Sequence, residues 1–172
     1  MFAYRPIRQS QLIEALERTL DGQRQSKKAP SVSEIDKNLA DRLPLRILIA
    51  DDNRVNLKVG QAYLQKMGYR PEMAANGLEV IQALERQQFD IVLLDVQMPE
   101  MDGYEAARQI CRRWEAGQRP RIIAMTGNAM QGDREACLEA GMDDYIAKPV
   151  RVKELETALR QWGRAKDASQ AA

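Results

Sequence analysis

The chain has 172 residues and a mass of 19.5 kDa, with 44% apolar residues, 26 lysines and arginines against 25 acids, and no histidine. That composition holds one good core plus extra segments, and a net charge of +1 supplies no field for nucleic acid or an anionic membrane. The missing imidazole removes His-type zinc sites, Ser-His and Cys-His nucleophiles and any role as a phosphohistidine donor, so chemistry must run on carboxylates, hydroxyls and lysine.

No apolar run approaches a membrane span and the N-terminus lacks a signal-type apolar region, so a soluble, cytoplasmic chain without direct membrane contact is expected. In chain order, residues 1–22 hold a short extended piece ending at Pro6 and a helix from Ser10 with Leu12, Ile13, Leu16 and Leu20 on one face. An offset of 143 residues lays Phe2, Arg5, Pro6, Ile7 and Arg8 on Tyr145, Lys148, Pro149, Val150 and Arg151, and Leu12, Ala15 and Leu16 on Leu155, Ala158 and Leu159. The match marks the last strand and helix of a second copy of one domain. Residues 23–44 lack sustained periodicity and read as a linker, with a short helix over Ser33 to Leu43 that Pro44 stops.

From Leu45 the pattern becomes regular. A strand (45–50) meets Asp51-Asp52-Asn53, and a helix follows to Met67 with Gly68 as its stop. A weaker strand (69–75) turns at Asn76-Gly77 into a helix through Arg86. The unbroken run Ile91 to Leu94 then predicts a strand buried on both faces and ended by Asp95. Met98-Pro99 and Asp102-Gly103 bring turn chemistry and a helix from Asp102 to about Glu115. A strand (121–126), a helix (132–139), a strand (144–148) and a helix from Val152 to about Gly163 complete the array, and 164–172 is expected to fray. Five strands alternating with five helices demand an α/β, doubly wound, five-stranded parallel sheet. Cys111 and Cys137 fall on predicted helices without metal spacing and read as reduced, half-buried thiols.

The strand ends carry the chemistry. Asp51, Asp52 and Asp95 stand at the ends of two strands that such a sheet sets side by side, and like charges so close need a cation between them. Oxygen donors without His or Cys favour Mg2+ over zinc. Taken singly, each acid reads more readily as a helix or turn cap. Thr126 and Lys148 end the next two strands, however, and an acid pair, an acid, a hydroxyl and an amine together are what phosphoryl transfer to a carboxylate requires.

The motifs ILIADDN, LLDVQMPEMDG, MTGNAMQGD and YIAKP occur in the order and spacing of a response-regulator receiver domain, which residues 45–163 resemble. The resemblance implies a flavodoxin-like strand order 2-1-3-4-5. It implies that Asp95 is the phospho-acceptor, that Asp52 and Asp95 ligate Mg2+ with the backbone carbonyl of Gln97, and that Asp51 assists through water. It further implies that Lys148 pairs with the phosphoryl group, that Thr126 is a switching hydroxyl coupled to Tyr145, and that Gln97 and Asn128 modulate water access. Phosphate on Asp95 would then bias the surface of the last two helices and the last strand.

The wording DDNRVN and NAMQGDRE is similar to receivers attached to hybrid sensor histidine kinases, whose membrane anchoring would lie in the parent chain. In that setting residues 1–22 are the tail of a preceding receiver-like domain, degenerate because Arg5 stands where the lysine belongs. The nine residues after Gly163 leave no room for a helix-turn-helix, so a DNA-binding output is not expected. The implied partner is a phosphohistidine protein, either the kinase dimerisation domain or a separate phosphotransfer module. It would dock on the helix after Asp52, where Val55, Leu57 and Val59 offer apolar atoms; at least two of these are expected in the core. Homodimerisation is left open. Turnover is limited to self-phosphorylation and self-dephosphorylation. Two alternatives stand beside this reading: a receiver-shaped scaffold that is never phosphorylated, and a haloacid-dehalogenase-type phosphatase, which needs a second acid where Gln97 stands.

Overall fold

The computed structural model describes residues 35–127 and 131–170, with the side chains of Gln131 and of residues 164–170 left aside. The repeat remnant at 1–22 and Asn128 lie outside the described residues. After a short lead-in helix, Leu39–Arg42, the elements are β1 Ile47–Ala50, α1 Arg54–Lys66, β2 Glu72–Ala74, α2 Gly77–Arg86 and β3 Ile91–Asp95. They continue as α3 Gly103–Arg113, β4 Arg121–Thr126, α4 Gln131–Glu139, β5 Asp144–Ala147 and α5 Val152–Gln170. The sheet is wholly parallel in the order β2-β1-β3-β4-β5.

The unbroken apolar strands are explained by two cores. Successive side chains point to opposite faces, so Leu48, Ala50, Val92, Leu94, Ile122 and Ala124 meet α2, α3 and α4 through Val80, Ile81, Ala106, Ile110 and Cys137. Ile47, Ile49, Ile91, Leu93, Ile123 and Met125 meet α1 and α5 through Leu57, Leu64, Leu155 and Leu159. Leu39 and Leu43 join this second core, so part of the stretch read as a linker is packed, and the Tyr69 hydroxyl donates to the Leu43 carbonyl at 2.8 Å. Burial pushes the Tyr69 phenol up to about 12.

Local chemistry sets most boundaries. Asn53 Oδ1 accepts from the Val55 N–H, Asn76 Oδ1 from Glu79 and Asp102 Oδ1 from Glu105, so α1, α2 and α3 each start at a side-chain cap. Gly68, at φ +92°, takes the left-handed position that ends α1. Three expectations shift. β2 is trimmed from 69–75 to Glu72–Ala74, because Tyr69 turns into the core and Pro71 has no N–H to give a ladder. α5 runs to Gln170 rather than fraying after Gly163, its extension being rich in helix formers such as Ala165, Lys166 and Ala168. The thiols are not alike: Cys111 is exposed, Cys137 is buried, and both are free.

Candidate functional site

β1 lies between β2 and β3, so the chain reverses its direction of build there and a crevice opens beyond the carboxyl ends of β1 and β3. Asp51 leaves the end of β1 and Asp95 ends β3, and both are buried, while Asp52 is exposed. Carboxylate oxygens of the three acids lie within 4.8 Å of one another. Lys148, one residue past β5, reaches across with its Nζ 2.7 Å from Asp51 Oδ2 and 2.9 Å from Asp95 Oδ2. Four of the residues expected at the site therefore meet at one point.

The two buried acids are dressed differently. Asp51 accepts the Asn53 N–H at 2.9 Å and the Asn56 Nδ2 at 3.2 Å on both oxygens, besides Lys148. Among the described residues, Asp95 accepts only the Gln97 N–H at 3.2 Å and Lys148 at 2.9 Å. Burial raises the Asp95 carboxyl above its ordinary value, with the Lys148 hydrogen bond, the Gln97 N–H and the Lys148 charge acting against it and the Asp51 charge adding to it. For Lys148 burial lowers the ammonium, but the hydrogen bonds it donates to Asp51 and Asp95, with the charges of both acids, outweigh it and hold the pKa above the usual lysine value.

The backbone frame is tight. The Val96 N–H donates to the Met125 carbonyl, the Gly103 N–H to the Val96 carbonyl, and the Lys148 N–H to the Thr126 carbonyl at 2.7 Å. A Cβ on Gly103 would sit 2.2 Å from the Asp95 carbonyl oxygen, so only glycine lets α3 start this close to the acid. A cleft of about 490 Å³ opens beside the acids, lined by Asp52, Gln97, Pro99, Asp102 and Tyr104. Thr126 ends β4, the strand next to Asp95, and is buried. Tyr145, on β5, is half-buried and lines a groove between α4 and α5.

The sequence assigned Asn56 no role and marked Gly103 only as turn chemistry ahead of a helix. Asn56 was legible only as an amide five residues after Asp51, where the first turns of α1 bring it back over the strand end. On α1, Leu57 is core as expected, but Val55 is 67% exposed and Val59 40% exposed. The expectation that two of the three would be core is therefore corrected: the helix turns one apolar residue inward and leaves the pair a turn apart outside.

A family model for the response regulator receiver domain matches residues 47–160. The chain belongs to that family. Curated relatives include the probable histidine kinase 1 of Oryza sativa subsp. indica, 35% identical over 147 residues, covering 68% of this chain and 15% of the relative. The sensor histidine kinase GacS of Pseudomonas protegens is 38% identical over 133 residues, covering 76% and 14%. The receiver thus spans about a seventh of these relatives. Among solved structures, the receiver domain of the sensor histidine kinase PA1611 from Pseudomonas aeruginosa, with a magnesium ion coordinated in its active site cleft, is 46% identical with a TM-score of 0.64, covering 69% of this chain and 97% of that one. The receiver domain of Ssk1 from Saccharomyces cerevisiae, in a co-crystal with the histidine phosphotransfer signaling protein Ypd1, is 28% identical at a TM-score of 0.64, covering 69% and 88%. Among the described residues no helix is long and apolar enough to cross a membrane.

Proposed function

We propose that this receiver accepts a phosphoryl group on Asp95 from a phosphohistidine donor with Mg2+ bound, and passes the change to the surface of α4, β5 and α5, as a module of a hybrid sensor histidine kinase. The observation that carries the reading is the single ammonium of Lys148 shared between two buried acids, 2.7 Å from Asp51 and 2.9 Å from Asp95. A structural ion pair saturates its acid; among the described residues this one leaves Asp95 with spare acceptor capacity, next to Val96 and Gln97 of the cleft wall.

The donor set fits Mg2+. The acids offer oxygen only, within a span of 4.8 Å, and opposite corners of a Mg2+ octahedron lie about 4.2 Å apart. Asp52 and Asp95 would hold the ion with the Gln97 carbonyl, and Asp51 would act through water. When bound, the ion neutralises charge on the phosphoryl oxygens. Asp95 supplies the nucleophile: one carboxylate oxygen forms the O–P bond as the P–N bond of the phosphoimidazole breaks, and the leaving nitrogen keeps the electron pair. Lys148 remains tethered to Asp51 while its other hydrogen bond transfers from Asp95 to the arriving phosphoryl group. Thr126, on the adjacent strand end, supplies the hydroxyl for the same group, and Tyr145 responds to its movement. Gln97 and Asn128 govern the approach of water.

Val55 and Val59 give α1, the helix capped by Asn53 just after Asp52, an exposed apolar strip suited to a helical phosphodonor. The Ypd1 co-crystal supports a partner of that class. Incubation with acetyl phosphate and Mg2+ followed by intact mass should add one phosphoryl group to the wild type and none to Asp95→Asn. Equal gain in both proteins, or gain in neither, overturns the assignment.

A further inference from the structure

We propose that Arg134 is a positioning residue of this receiver, holding the Tyr145 ring toward the α4–α5 groove and so raising the threshold for the phosphorylated arrangement. The inference rests on the switch reading above and adds to it the residue that sets its balance. The Arg134 guanidinium carbon lies 5.8 Å from the centroid of the Tyr145 ring, within the range at which a cation is attracted to an aromatic face. Arg134 comes from α4, and Tyr145 comes from β5.

The two ends of Tyr145 differ in freedom. Its backbone is fixed by parallel pairing with Ala124 and by an N–H bond to Asp144 Oδ1 at 2.8 Å. The ring instead borders a groove of about 590 Å³ together with Lys153, Glu154 and Thr157, so the side chain has room to turn while the strand stays still. Its inner side packs on the core that α2, α3 and α4 share with the sheet. Any inward turn of the ring therefore abandons the guanidinium. That loss penalises the inward state alone, which makes Arg134 a bias on a two-state equilibrium. The planar guanidinium suits stacking better than an ammonium, so lysine should serve only in part.

An exposed cation–π contact corresponds to about a two- to fivefold shift in such an equilibrium. The test titrates beryllofluoride with Mg2+ into the full chain, following labelled tyrosine ring resonances by NMR, for wild type, Arg134→Gln and Arg134→Lys. Arg134→Gln should half-saturate at about two- to fivefold lower beryllofluoride, with the Tyr145 resonance already displaced toward its liganded position before addition, and Arg134→Lys should fall between. If the ring moves on addition in wild type but Arg134→Gln gives the same or weaker binding, the role of Arg134 is overturned and the switch survives. If the ring does not move even in wild type while beryllofluoride binds, the switch reading falls and this inference falls with it.

Discussion

The parallel sheet carries an acid–cation cluster at each of its ends, and the two clusters are built to opposite specifications. At the amino-terminal ends of β4 and β5, Asp143 receives Arg119 through both guanidinium nitrogens at 2.7 and 3.0 Å, Arg121 at 3.2 Å and the Ile122 N–H at 2.8 Å. The hydrogen bond to Asp143 is the main reason that the Arg119 guanidinium is held above its ordinary pKa. A planar fork has met a planar carboxylate and filled its lone pairs. At the carboxyl ends one compact ammonium is divided between Asp51 and Asp95, and Asp95 keeps acceptor sites unfilled by any of the described residues. A saturated pair ties the loop before β5 to the start of β4. An undersupplied pair leaves room for a ligand.

The contrast is sharpest in what removal of each cation does. Arg119→Met should cost about 3 kcal/mol in urea unfolding, since a largely buried carboxylate then loses its bidentate partner, while phosphoryl uptake per folded molecule stays at the wild-type level. A loss of uptake without a loss of stability would erase the distinction between the two ends. Saturating Mg2+ should add about 2–3 kcal/mol to the wild type at a hundredfold excess over its dissociation constant, and Asp52→Asn should remove most of that gain. The increment should survive in Arg119→Met, and its disappearance there would mean that the two clusters are one cooperative network. The smallest effect belongs to the exposed pair of Arg113 and Glu85, at 2.5 Å: Arg113→Ala should shift the midpoint by less than about 0.5 kcal/mol, a baseline against which the buried pairs are judged.

How much of this was readable beforehand follows from which features are local. Asp51, Asp95, Thr126 and Lys148 end apolar runs and precede turn residues, so strand ends could be placed from neighbours in sequence alone. The caps Asn53, Asn76 and Asp102 were legible for the same reason, each being a short polar residue just ahead of a periodic segment. The phase of α1 was not. Whether Leu57 or its neighbours Val55 and Val59 face the sheet depends on how the helix rolls against Ile49 and Leu93, which no short window encodes. Arg119 and Asp143 are separated by a whole helix, and Arg134 meets Tyr145 only because α4 folds back over β5. These pairs are products of topology, and an acid or a cation in a polar loop gives no hint of its partner.

Gly103 carries a last consequence. With its missing methyl, α3 abuts the main chain of Asp95, and any side chain there would need the 2.2 Å that the Asp95 carbonyl already occupies. The seat of the Asp95 main chain is thereby gauged by a helix terminus, as a shim sets the height of a blade. Attempts to reshape the neighbouring cleft must work from its Asp52 and Tyr104 walls, because the contact between Gly103 and Asp95 admits no thicker part.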